Sequence, residues 1–391
     1  MIRPLELPPL SLYVHLPWCV RKCPYCDFNS HPAGDAAVPE RGYVEALLAD
    51  LEQDAAEAAG REIVSVFIGG GTPSLFRPGS IARLLEGVSA RIPLAPDAEI
   101  TLEANPGTVE RGRFAGFRDA GVNRLSVGVQ SFDDALLRSI GRIHDARQAR
   151  LALEAGAAAG FSRINVDLMY GLPGQTPAQA LADVRLACGL AGGHVSHYQL
   201  TLEPGTPFHH RPPRLPGDDS AWRMQHECGE VLADAGFAHY ETSAWARPGQ
   251  ACRHNLNYWR FGDYLGIGAG AHAKLTSPAR NAIVRRWKLR GPNAYMCAAA
   301  GPGRIADETP VASSGRALEY LMNALRLAEG ADLAALERRT GVPAATLSGP
   351  IATAAQRGLV TREGELLRPT ETGRRFLDDL LLLFVPETAD A

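Results

Sequence analysis

No transmembrane helix is expected, because the longest late apolar run, residues 380–385, covers six positions, against the roughly 20 needed to cross a bilayer. The first ten residues hold three prolines and Glu6, with no basic segment leading into an apolar one, so they do not form an export signal. Charge of one sign is scarce as well. The formal net charge is −3 and the pI is near 6.4, which gives neither the positive field that nucleic acid requires nor a polybasic membrane anchor. Peripheral contact with a membrane is the most that remains. Cysteine is sparse, with seven in 391 residues, and nothing resembles the even disulfide framework of a secreted chain, so a reducing cytoplasm is expected.

What is present is ordinary for a folded protein. Apolar residues make up 46% and charged residues 21%, which excludes wholesale disorder. The length predicts two or three domains, although one large barrel can use more than half of it. A continuous apolar, β-branched run at residues 63–68, a short apolar one at 10–16, and candidates at 99–103, 124–130, 164–167 and 197–202 predict strands. Helical spacing predicts helices at 40–59, closed by Gly60, and at 80–90, 109–120, 146–159 and 177–190. From the second strand on, the unit repeats every 27 to 37 residues, the period of a strand-helix pair. Polar or glycine signals follow nearly every strand. A partial or complete parallel (β/α) barrel therefore fits better than a flat doubly wound sheet.

We divide the chain into a barrel core over residues 1–215, an extension over 216–300 and a small α+β domain over 301–391. Helices are expected at 219–235, 317–327, 333–340 and 346–357, a strand at 237–244, and a hairpin at 359–367 turning through Glu363-Gly364. Three helices and a hairpin make the last domain winged-helix-like. From Arg316 onward nine basic residues face eleven acidic ones, so packing or partner docking suits it better than DNA binding.

The most informative stretch is Cys19-Val20-Arg21-Lys22-Cys23-Pro24-Tyr25-Cys26. Three thiols this close, at the end of a strand, suit a metal. A structural zinc with His15 or a distant cysteine as fourth ligand is one reading. A [4Fe-4S] cluster held by three thiolates, with one iron left open to a substrate or cofactor, is the other.

With its flanks, Tyr13-Val-His-Leu-Pro-Trp-Cys19-x-x-x-Cys23-x-x-Cys26, the stretch resembles the radical S-adenosylmethionine (SAM) superfamily. The resemblance implies that Cys19, Cys23 and Cys26 ligate three irons and that SAM chelates the fourth through its amine and carboxylate. It also implies reductive cleavage of SAM to a 5′-deoxyadenosyl radical and an electron donor for the cluster. Gly69-Gly70-Gly71-Thr72, a weak signal by itself, then resembles the glycine motif that meets the methionine amine. Leu-Glu103-Ala-Asn-Pro, Gly-Val-Gln130-Ser-Phe, Gly-Arg142-Ile-His and Val-Asp167-Leu-Met-Tyr-Gly-Leu-Pro-Gly, together with Tyr13 and Tyr25, resemble the branch holding oxygen-independent coproporphyrinogen III oxidases and their heme-chaperone relatives. Carboxylates, an amide and a guanidinium at strand ends suit the ribose, amine and carboxylate of SAM.

Within that branch the oxidases carry a further cysteine two residues after the third, where this chain has Phe28, and usually a longer segment before the cluster. Both departures speak against porphyrinogen decarboxylation, which stands as the alternative beside a non-catalytic metal-binding scaffold. His254-Asn-Leu-Asn-Tyr-Trp259 resembles the H-N-x-x-Y-W motif of the heme chaperones and implies heme as a ligand and an acceptor protein as partner. Tyr258, Trp259, Phe261 and Tyr264 would wall the heme, and His254, Cys252 or His272 would ligate it.

Overall fold

The computed structural model describes residues 5–34, 37–108 and 112–386. The first residues of the chain, the first three of the helix expected at 109–120, and the last five residues lie outside that description. Among the described residues no helix is long and apolar enough to cross a membrane.

Twelve strands form one sheet: β1 Leu10–Leu16, β2 Ile63–Gly70, β3 Leu94–Ala104, β4 Arg124–Gln130, β5 Ile164–Tyr170, β6 His194–Gln199, β7 Ala238–Glu241, β8 Ala244–Ala246, β9 Asp263–Ile267, β10 His272–Ser277, β11 Ala282–Lys288 and β12 Ile305–Pro310. In space they run β12-β11-β10-β9-β1-β2-β3-β4-β5-β6-β8-β7. The block from β9 through β1 to β6 is parallel, and the strands outside it are antiparallel. Among the described residues no ladder joins β12 to β7, so the barrel is partial and its edges stay apart.

Most of the parallel strands from β1 to β5 lie where expected because their apolar side chains are buried on both faces of the sheet; β9, parallel to β1, was not expected. Val14, Ile68, Leu102, Val127 and Val166 are fully buried in the main core. The helices between them start on local caps. Asp145 with Gln148 and Thr176 with Gln179 each close a capping box, satisfying donors that a helix start leaves open. The first helix runs Glu40–Asp54 and tightens into a 3-10 turn, after which Ala59 and Gly60 adopt left-handed φ values of 51° and 77°.

Two corrections to the boundaries have physical causes. β6 starts at His194, three residues before the expected 197, because His194 and Ser196 bond the buried amide of Asn165 on β5. Residues 305–310, placed at the start of the last domain by the sequence, supply β12, an exposed edge strand paired to β11.

Beyond Pro310 come helices Arg316–Ala324, Leu333–Thr340 and Ser348–Gln356 and a hairpin of Val360–Glu363 with Leu366–Pro369, joined by a short strand Ala331–Asp332. This winged-helix-like unit builds a second core that also takes in Ile283 of the sheet and Phe261 of the turn before β9. A buried ionic cluster ties the first helix to the sheet. Lys288 on β11 meets Asp50 at 2.6 Å, and Arg304 meets Asp50 at 2.7 Å.

Candidate functional site

The three-cysteine loop leaves β1 and returns through a short parallel ladder of Trp18–Cys19 with His31–Pro32. Asn29 pins it further, donating from Nδ2 to the carbonyls of Ala269 and Arg290 at 2.9 Å each. Cys19, Cys23 and Cys26 are free and half-buried, and all three line one cavity of about 520 Å³. Burial pushes the Cys19 and Cys26 thiols up, so metal binding there must displace protons. Among the described residues no three His, Cys, Asp or Glu side chains close on a single ion. Three free thiols around a shared cavity fit the donor set of a multi-iron cluster.

The strand ends supply the rest of the lining. Gly70 ends β2 with φ 115°, and its amide donates to Glu103 Oε2 at 3.1 Å. A Cβ at Gly70 would lie 2.6 Å from the His15 ring, and one at Gly71 would lie 2.5 Å from the Trp18 carbonyl oxygen. These glycines are therefore required by close approach of β1 and the cysteine loop. Thr72 completes the contact, its amide donating to the Trp18 carbonyl at 2.7 Å.

Glu103 sits beside Gly70 near the end of β3. Burial, and then the nearby Asp167, push its carboxyl up to about 8, with the Gly70 amide opposing. Asp167 on β5 accepts from Asn165 Nδ2 at 2.7 Å and Ser126 Oγ at 3.2 Å, yet burial still raises it. Gln130 ends β4 in the left-handed region, φ 68°, an unusual position for a non-glycine residue that turns its side chain at a strand end. Its Oε1 accepts from Tyr198 Oη at 2.7 Å.

Arg142 reaches the cavity from the loop between helices Asp134–Ser139 and Ala146–Ala158. One Nη donates to the Gly128 carbonyl at 2.7 Å, the other lies 3.8 Å from Cys23 Sγ, and Nε is buried without a partner. The guanidinium thus faces the cysteine loop, where it can offset thiolate charge. Tyr25 lines the same cavity.

Two expected residues fall elsewhere. Tyr13 lines a second cavity of about 510 Å³, which shares Asp27, Phe28, Gly70 and Glu103 with the first. His254 lines neither cavity. Its Nδ1 meets Ser65 Oγ at 3.0 Å and its Nε2 is buried without a partner, in contact with the rings of Phe67 and Tyr258. Cys252 is also fully buried, its thiol donating to Glu99.

The first cavity is also lined by groups that strand patterns did not single out, including Tyr198, Asn165, Ser196 and Arg326. Tyr198 could have been found, since it stands near the end of a strand as Gln130 does. Arg326 comes from the winged-helix-like unit, lies 4.3 Å over the Trp259 ring and 3.7 Å from Glu241, and no local pattern marks it.

With this geometry in place, the comparisons are specific. The radical SAM superfamily is matched over residues 13–187 and the HemN C-terminal domain over residues 315–376. The heme chaperone HemW of Escherichia coli (strain K12) is 48% identical over 384 residues, covering 98% of this chain and 100% of that one. The heme chaperone HemW of Haemophilus influenzae is 46% identical over 386 residues, covering 98% and 99%. Mouse mitochondrial radical S-adenosyl methionine domain-containing protein 1 is 41% identical over 286 residues, 72% of this chain and 64% of its own. Among solved structures, coproporphyrinogen III oxidase (HemN) from Escherichia coli superposes with a TM-score of 0.82 at 23% identity, covering 97% of this chain and 90% of that one. That likeness shows the fold.

Proposed function

The chain belongs to the radical SAM superfamily and, within it, to the family of the heme chaperones named HemW; from that premise we propose that it carries a [4Fe-4S] cluster on Cys19, Cys23 and Cys26, holds SAM beside it, and binds heme for delivery to an acceptor protein in the cytoplasm. When bound, the cluster and SAM supply a redox centre with an open iron that the cofactor occupies. This chain's own residues position them. Gly70, Gly71 and Thr72 form the edge against which the cofactor lies, and Glu103, Gln130 and Asp167 offer acceptors along one side. Arg142 holds positive charge against the thiolates.

The observation that carries the reading is the pair of adjoining cavities. One is lined by the three thiols and the strand-end polar groups, the other by aromatic rings, and they meet at Phe28, Gly70 and Glu103. A redox cofactor and a flat apolar ligand can thus sit side by side. Phe28, exposed at the meeting point, stands where the oxidases have a cysteine, which favours carriage of a tetrapyrrole over its decarboxylation.

Heme titration of the anaerobically reconstituted protein tests this. A saturable Soret change with single-site stoichiometry is expected, together with a change in the cluster's paramagnetic resonance on adding SAM. Absence of the Soret change would remove the chaperone reading, and formation of protoporphyrinogen from coproporphyrinogen III under reducing conditions would replace it with the oxidase. Asp167→Ala should weaken SAM binding while the cluster remains.

A further inference from the structure

The second cavity has walls that the SAM site does not use. Tyr258 and Tyr264 stand with ring centroids 4.2 Å apart. In the same lining, His272 and Trp287 are cross-strand partners on β10 and β11, their rings nearly parallel at 23° and 5.8 Å. Arg290 closes one side. Aromatic faces with a histidine and an arginine among them suit a flat, conjugated ligand that has both a metal and carboxylates.

Access sorts the candidate axial ligands. His254 and Cys252 reach neither cavity, and the thiol of Cys252 is already bonded to Glu99. His15 borders the second cavity, but Nδ1 is engaged by Tyr13 Oη at 3.0 Å and Nε2 by the Asn29 carbonyl at 2.8 Å. His272 is exposed, and among the described residues its ring nitrogens have no hydrogen-bond partner. Arg290 likewise has no carboxylate partner among the described residues, and the acidic groups bordering the cavity are Asp27 and Glu103.

Building on the heme-chaperone reading, we propose that heme docks in this second cavity with its iron on His272 and a propionate on Arg290. With His272 as its protein ligand, the iron would be held by a single bond from the chain, which suits a cargo that must be released. Partial burial and the charges of Arg285 and Arg290 lower the affinity of His272 for a proton, and only the neutral imidazole can ligate. The shared border at Gly70 and Glu103 sets the tetrapyrrole against the SAM site without overlap of their main ligands.

The test uses the full chain with its cluster reconstituted and heme itself as the probe, comparing wild type with His272→Ala, Arg290→Ala and His254→Ala. His272→Ala should weaken heme binding by roughly tenfold or more and alter the ferric heme resonance spectrum. Arg290→Ala should weaken it by a similar factor with that spectrum unchanged. In both variants the cluster's response to SAM should persist. Heme affinity and spectrum unaltered in His272→Ala, with either lost in His254→Ala, would overturn the site while leaving heme carriage standing. Wild type that binds no heme would sink the heme reading and this site with it. If His272→Ala also loses its cluster, Arg290→Ala decides alone: unchanged affinity there overturns the site, and weaker binding supports it.

Discussion

Glu103 shows how one side chain is set by its surroundings. Held near the end of β3 with Asp167 close by, its carboxyl titrates near 8 in the fold and near 4.5 in an unfolded chain. A raised acid binds its proton more tightly when folded, so it costs no stability below pH 4.5, costs progressively more between 4.5 and 8, and a constant amount above. Glu103→Gln keeps an acceptor for the Gly70 amide and removes the ionisation. In the cluster-free protein this variant should match wild type in urea at pH 4 and be the more stable at pH 8.5; equal midpoints at both would show that the carboxylate is solvated. Gly71→Ala acts by contact instead. Its Cβ would meet the Trp18 carbonyl at 2.5 Å, and a backbone oxygen moves only with its strand, so iron bound per chain should fall sharply while far-ultraviolet circular dichroism stays that of wild type. At this scale the sequence is legible where chemistry follows strand ends. Cys19, Cys23, Cys26, Glu103 and Gln130, at or after strand ends, all line the first cavity, whereas Arg142, expected at a strand end, reaches it instead from the loop between helices Asp134–Ser139 and Ala146–Ala158. His254 was the residue least legible in place: its motif is local, but whether its ring faces a cavity depends on Ser65, Phe67 and Tyr258 packing around it.

Among elements, the first helix and β11 show a charge cluster acting on a binding surface. Lys288 and Arg304 hold Asp50, Asp50 Oδ2 accepts from Tyr295 Oη at 2.6 Å, and Tyr295 Oη in turn accepts from the Gly268 amide at 2.9 Å. Tyr43 of the same helix donates to the His15 carbonyl at 2.9 Å and accepts from the Ala269 amide at 2.8 Å. The turn after β9 is thereby fixed beside the second cavity. Lys288→Met leaves two buried carboxylates with fewer partners, a change that costs about 3 kcal/mol, the low end of the range because Arg304 still faces both. Urea unfolding reads that cost, and an unchanged midpoint would mean the cluster is not what holds this helix. Buried charge also explains why β10 and β11 were not foreseen. β1 to β5 carry apolar runs, whereas β10 and β11 carry Lys274, Arg285, Arg286 and Lys288. Lys274, Arg286 and Lys288 are buried against Asp263, Asp54 and Asp50. Charge that would ordinarily mark a solvated face here lies inside, and the alternation that signals a strand is lost.

For the whole molecule, the decisive feature is that the winged-helix-like unit does not own its core. Phe261, 1% exposed, stands between the sheet and Tyr320, whose ring centroid lies 5.8 Å away, and Lys274 Nζ lies 4.1 Å over its ring. Ile283 and Val311 join the same cluster. Arg285 with Glu319 and Arg260 with Glu329 bridge the boundary at its rim, although such exposed pairs add little by themselves. Opening the unit would expose this shared apolar surface and withdraw Arg326 from the lining of the first cavity. Barrel and unit should therefore unfold together, with tryptophan fluorescence and circular dichroism giving coincident urea transitions. Phe261→Ala removes the aromatic link at a cost of about 3–5 kcal/mol, and the two probes should then separate, the unit melting first. Two transitions already present in wild type would mean that the unit is an independent domain, and that Arg326 is not held at the first cavity by the rest of the fold.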